Sequence, residues 1–133
     1  MVRETRIPIT SAEDIVTARQ QGRSMGMELG FESAELTLIA AAISEVSRNM
    51  IEHAEGGEII LRVLNQANRH GLCVVARDQG PGIPDVAQAM QFGYSSRRGL
   101  GVGLPGAKRL MDEFEIESKV GIGTTVTMKK WLE

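Results

Sequence analysis

The run from Ser33 to about Ala54 constrains the fold more than any other segment. At roughly 100° per residue, Leu36, Ile39, Ile43, Val46 and Met50 fall within about a third of a helical circumference and define a core side. Glu45, Asn49 and Glu52 cluster on a face more than roughly 100° away. The segment reads as a helix laid on a core by one face and ended by Gly56-Gly57, with an acid and a carboxamide four residues apart on the other face. Glu and Asn are usually exposed, so taken alone that polar face reads as solvated surface.

The flanking segments supply partners for such a helix. Thr5 to Ile9 alternates and contains Pro8, which suits a short edge strand. Thr10 or Ser11 can cap a first helix from Ala12 to about Leu29, in which Ile15, Val16, Ala18, Met25 and Leu29 are roughly helical in spacing. Gly22 and Gly26 weaken its middle, and Gly30 is a stop. Glu58 to Leu64 and Gly71 to Asp78 are β-rich and joined by the polar Asn65 to His70, which makes a hairpin. Asp85 to Phe92 reads as a short helix and Gly93 to Gly103 as a mobile loop. Pro105 suits the first turn of a helix reaching about Asp112 or Glu113. Phe114 to Ser118 and Thr124 to Trp131 form a closing strand pair around Gly121-Ile122-Gly123. The order predicts an α+β two-layer α/β sandwich, one domain over residues 1–133, with a mixed, mostly antiparallel sheet and helices on one face.

Composition narrows the function classes. A chain of 133 residues can bury roughly two-thirds of its unfolded surface without staples. Cys73 is the single cysteine, which leaves no intramolecular disulfide, and its apolar neighbours suit a small buried hydrophobe. Met1 to Arg6 lacks the apolar region of a signal peptide, and no run approaches the ~18 apolar residues of a membrane span. A cytoplasmic protein with no membrane partner is expected. The net charge is −2, and basic residues are scattered apart from Arg97-Arg98 and Lys129-Lys130, so nucleic-acid binding is not expected. The 15 glycines are concentrated after residue 79, which points to functional loops in the second half.

Two of those loops carry chemistry. Asp78 ends an apolar strand and enters Gln79-Gly80-Pro81-Gly82, where glycines permit positive φ and close approach of backbone to a flat ligand. A carboxylate there can accept a hydrogen bond from an exocyclic amine. A plain β-turn explains the glycines but not an Asp as the last strand residue. Further on, Gly101, Gly103 and Gly106 make a formal G-x-G-x-x-G, but the polar Gly93 to Arg98 before it is no strand, which excludes a dinucleotide fingerprint. No G-x-x-x-x-G-K-[ST] occurs, because Lys108 comes two residues after Gly106. What stands is a glycine loop feeding a helix N-terminus, where N–H groups and the dipole favour phosphate. With Glu45 and Asn49, these loops are equipment for holding Mg-ATP outside any P-loop.

In chain order, Glu45-x-x-x-Asn49, Asp78-x-Gly80-x-Gly82, Gly99-x-Gly101-x-Gly103 and Gly121-x-Gly123-Thr124-Thr125 resemble the N, G1, G2 and G3-like boxes of the GHKL (Bergerat-fold) ATPase and kinase superfamily. Each motif is weak alone, but all of them in order over about eighty residues are specific. Gyrase relatives are much longer, and histidine kinases carry a further helical domain for which this chain has no room. The length suits the stand-alone serine kinases of bacterial partner-switching systems. Asp78 to Asp85, Gly99 to Phe114 and the terminal Lys130-Trp131-Leu132 are similar to the stressosome switch kinases among them, and the similarity runs over nearly the whole chain. Met50 departs from the wider superfamily, where a small Ala often follows the Asn, and an effect on packing behind the metal site is expected.

The resemblance implies a serine/threonine protein kinase that uses ATP and Mg²⁺. By it, Asn49 ligates Mg²⁺ through its side-chain oxygen while triphosphate oxygens and water complete the shell, which suits an ion that dehydrates reluctantly. Glu45 is the general base toward a Ser or Thr hydroxyl. Asp78 accepts from the adenine amino group, Gly80, Gly82 and Ile83 shape that pocket, and Thr124 or Thr125 adds a hydroxyl. Gly99, Gly101, Val102, Gly103 and Leu104 close over the phosphates, where Arg97, Arg98 or Lys108 could neutralise developing charge. Arg48 and Glu52 flank the metal side and could instead meet the protein substrate, while His53 is expected to pack at the helix end. The implied partners are STAS-domain antagonist and scaffold proteins, with a PP2C-type phosphatase or similar effector switched on when the kinase is released. An anti-sigma factor kinase would share the same site. A non-catalytic ATP-responsive module would need no base, and the presence of both Glu45 and Asn49 argues against it.

Overall fold

The computed structural model describes residues 3–82 and 103–132. β1 (Glu4–Ile9) turns Ile7 and Ile9 into the core. α1 (Ala12–Leu29) starts where the Asp14 carboxylate accepts from Thr10 N at 2.8 Å, Thr10 Oγ1 at 2.9 Å and Ser11 N at 3.2 Å. These bonds satisfy donors ahead of the first turn. They also hold the Asp14 carboxyl below its ordinary range, with the Thr10 backbone N–H the largest cause. The helix stops at Gly30, whose φ of 106° is left-handed and whose N–H reaches Gly26 O and Met27 O.

α2 (Ser33–Ala54) packs along α1. Gly22 and Gly26 make that contact possible. A Cβ on Gly22 would stand 2.3 Å from Ile43 Cδ1, and one on Gly26 would stand 2.8 Å from Leu36 Cδ2. Glycine in mid-helix costs about 1 kcal/mol relative to alanine, and close packing of the helix pair offsets it. Val16 departs from expectation: it is 41% exposed and faces away from the core.

β2 (Gly57–Gln66) and β3 (Arg69–Arg77) form the expected hairpin, followed among the described residues by α3 (Gly103–Leu110), β4 (Glu113–Lys119) and β5 (Gly123–Trp131). The sheet order is β1-β2-β3-β5-β4, and every neighbouring pair of described strands is antiparallel. α1, α2 and α3 share one core with the inward residues of the sheet, among them Ile59, Leu61, Leu72, Val74, Val126 and Met128. The α+β sandwich is therefore as expected. α3 begins two residues before Pro105 and ends at Leu110, earlier than expected. Lys130 Nζ donates to Leu110 O at 3.2 Å and lies 3.8 Å from Asp112, so the terminal carbonyl is capped by β5. The helix expected over Asp85 to Phe92 and the loop up to Val102 lie outside the described residues.

On the core side of α2, Ser47 is fully buried and its Oγ has no hydrogen-bond partner among the described residues. A buried hydroxyl left unsatisfied costs about 1–3 kcal/mol. Ser47→Ala is therefore expected to raise unfolding stability by about 1 kcal/mol. Urea denaturation of both proteins measures this, and an equal or lower midpoint for the variant would contradict it.

Candidate nucleotide site

α2 supplies the polar half of the site. Its apolar stripe is buried as expected, with Leu36, Ile39, Ile43, Val46 and Met50 each 3% exposed or less. Glu45 and Asn49 stand beside that stripe, and both are half-buried. The Glu45 side chain is only 13% exposed, and its Oε2 lies 3.1 Å from Arg48 Nη1. The solvated-surface reading therefore fails for Glu45. Glu52 is similarly shielded, whereas His53 is exposed, with its Nε2 3.9 Å from Glu52, and does not take the packing role expected of it.

Asp78 organises the other half. It follows directly on β3 and is 9% exposed. Its N–H donates to Thr124 O at 2.9 Å, and its Oδ1 accepts from Gly80 N at 2.9 Å and from Thr124 N at 3.2 Å. Those N–H groups give the buried carboxylate hydrogen-bond partners in place of water. They occupy one oxygen, and no described residue hydrogen-bonds Oδ2.

The glycines around Asp78 meet protein rather than open space. A Cβ on Gly80 would stand 2.5 Å from Ala54 Cβ at the end of α2. One on Gly82, at φ 80°, would stand 2.4 Å from Lys119 O. One on Gly123, at φ 145°, would stand 2.2 Å from Asp78 O. The Asp78 loop is threaded between the end of α2 and the β4–β5 turn, where Gly121 N donates to Pro81 O at 2.9 Å. Met50 belongs to the same junction: its Sδ is 2.8 Å, and Asp78 Cβ 3.0 Å, from where a Gly57 Cβ would be. The larger residue after Asn49 thus fills space beside Gly57.

The structure separates Thr124 from Thr125. Thr124 is buried, and its backbone N–H holds Asp78. Its hydroxyl lies 2.8 Å from Ser118 Oγ across the hairpin. Thr125 pairs with Arg77 and Glu117, and together with Asp78, Gln79, Gly123 and Ile122 it lines a cleft of about 260 Å³. Ser118 was not foreseen, although the alternation of β4, with Phe114 and Ile116 inward, marks it as a polar residue on the apolar side. Gly103 and Leu104 open α3, Leu104 is buried, and α3 packs against α2. Lys108 is exposed. Ile83, Arg97, Arg98, Gly99, Gly101 and Val102 lie outside the described residues.

Gly123→Ala is expected to lower stability by about 1–3 kcal/mol, because the new methyl collides with backbone that cannot yield. Chemical denaturation reads the loss, and a variant as stable as the parent would show that the contact relaxes freely.

The description of the histidine kinase-like ATPase domain family matches residues 9–130. Over 126 residues, 95% of both chains, the sequence is 46% identical to serine/threonine-protein kinase RsbT of Bacillus subtilis strain 168. It is 35% identical over 104 residues to the anti-sigma F factor of Clostridium novyi strain NT, covering 74% of this chain and 73% of that one. Among solved structures, the RsbU and RsbW domains of Rv1364c from Mycobacterium tuberculosis superimpose with a TM-score of 0.68 at 21% identity, over 99% of this chain and 34% of that one, a likeness of fold. With the sheet, the N-box helix and the Asp78 loop arranged as described, the chain belongs to the histidine kinase-like ATPase domain family.

Proposed function

We propose that this protein is a serine/threonine protein kinase that transfers the γ-phosphoryl group of ATP to STAS-domain antagonist or scaffold proteins of a bacterial stressosome. On release from them it would activate a PP2C-type phosphatase or similar effector in the cytoplasm. The observation that carries this reading is the shielded carboxylate of Glu45 one helical turn before Asn49. A module that merely bound nucleotide would need no base there. The 46% identity to a protein kinase supports it. No described helix is long and apolar enough to cross a membrane.

The residues fit the groups they would hold. Asp78 keeps Oδ2 as an acceptor for an adenine amino group while Oδ1 is spent on the loop. No cluster of His, Cys, Asp or Glu among the described residues could hold a metal ion unaided. Asn49 would therefore bind Mg²⁺ together with triphosphate oxygens. The N–H groups at the start of α3, Gly103 and Leu104, suit phosphate. Gly99, Gly101, Val102 and one of Arg97, Arg98 or Lys108 complete this reading by resemblance. Gly80, Gly82, Ile83 and Thr124 would enclose the base, with Thr125 lining the cleft beside Asp78.

Bound Mg-ATP supplies the phosphoryl group and neutralises charge as it transfers. Glu45 takes the proton of the acceptor hydroxyl as that oxygen bonds to the γ-phosphorus; the bond from phosphorus to the β–γ bridging oxygen breaks, and its electron pair leaves on ADP. A second reading, an anti-sigma factor kinase, draws on the 35% identity to an anti-sigma F factor. It predicts capture of a sigma factor, which the first does not.

Transfer of labelled phosphate from ATP to a single-domain STAS protein tests the proposal. Glu45→Ala is expected to lower transfer by about 10²–10⁴-fold while ADP still binds. Asp78→Asn keeps an oxygen for Gly80 N and Thr124 N but turns an amide donor toward the base. It is expected to weaken ADP binding by about 10–100-fold, as loss of a charged hydrogen bond should, with little change in melting temperature. Undiminished transfer by Glu45→Ala would sink the assigned base.

A further inference from the structure

We propose that Arg48 is a positioning residue that aims Glu45, an inference that rests on reading Glu45 as the general base. The two residues lie three apart on α2, with Arg48 Nη1 3.1 Å from Glu45 Oε2. Ordinary surface pairs of this spacing contribute little and join two mobile side chains. This pair differs because the Glu45 side chain is 13% exposed and that of Arg48 is 34%. The carboxylate is largely shielded, and one of its two oxygens faces the guanidinium.

The consequence is geometric. A general base must present a lone pair within about 2.6–3.2 Å of the hydroxyl it deprotonates. The ion pair draws Oε2 toward the guanidinium and so biases the direction of Oε1, and no described residue hydrogen-bonds Oε1. Among the described residues, Oε1 is thus the oxygen left for the acceptor. Arginine suits the role better than lysine would, since its planar fork of donors loses little freedom when it engages a carboxylate. The rival role for Arg48, given its partial exposure, is to dock the acceptor protein directly.

Steady-state transfer to a single-domain STAS protein separates these roles when Arg48→Gln, Arg48→Lys, Glu45→Gln and the double variant Arg48→Gln/Glu45→Gln are compared, with a fluorescent ADP analogue and thermal melting as controls. Arg48→Gln is expected to lower kcat by about 10–100-fold, the scale of a misaimed catalytic group. The acceptor KM, ADP affinity and melting temperature should stay near those of the parent. Arg48→Lys should recover much of the rate, and the double variant should be no slower than Glu45→Gln. An inactive Glu45→Gln beside a fully active Arg48→Gln would overturn the role of Arg48 alone. A raised acceptor KM at unchanged kcat would make Arg48 a docking residue, and a parallel loss of ADP affinity or melting temperature would make it structural. A fully active Glu45→Gln would overturn the reading of the base beneath it.

Discussion

The ligand end of the molecule is organised by a buried carboxylate whose charge is satisfied by backbone. Asp78 Oδ1 takes N–H groups from Gly80, two residues ahead, and from Thr124, on a distant strand. A buried carboxylate needs such donors in place of the water it has lost. In satisfying it, they also decide the path of the chain. The loop must curl back on Asp78, and β5 must start beside it. Gly80, Gly82 and Gly123 follow from those demands, since a side chain at any of them would strike Ala54, Lys119 O or Asp78 O.

α2 is tied to the same point from the other side. Ala54 touches the Gly80 position and Met50 the Gly57 position, so the end of the helix is set against the loop that carries Asp78. Because one face of α2 is committed to the core, Glu45 and Asn49 cannot rotate independently of Asp78. The distance between a base and an adenine site is thus set by packing rather than by flexible side chains. That is the kind of preorganisation phosphoryl transfer needs, since the protein's contribution to it is largely positioning and electrostatics.

How far the sequence revealed this depended on periodicity. The α2 stripe, the β2–β3 hairpin and the closing strand pair were legible because their apolar residues repeat at helical or strand spacing and are buried accordingly. Val16 fitted the same spacing yet lies exposed, because a surface helix has more positions near its apolar edge than its core can cover. The glycines were legible as places of close backbone approach, but their protein contacts were not: those such as Gly123 with Asp78 O are long-range and leave no local signature. The same holds for the Ser118–Thr124 hydroxyl pair, set by hairpin register. Arg48 and Glu45 had the spacing of a common surface pair, and only burial distinguishes theirs from one.

The far face of the sheet shows why the chemistry gathers at one end. Ile60, Cys73 and Val75 form a small buried strip there, away from the helices. On the same face Arg62 pairs with Glu4 at 2.7 Å and Arg6 with Glu58 at 3.2 Å. The long stems of such residues cover apolar surface while their charged ends stay in water. Burial pushes the Cys73 thiol up, away from the thiolate that reactive cysteines need. This face is therefore finished as a solvent surface and holds an inert thiol. The helix side differs: there a shielded acid, a half-buried carboxamide and a carboxylate with one oxygen unused by any described residue remain after folding has satisfied its own demands. Polar groups that the fold shelters but does not consume are the ones available to a ligand.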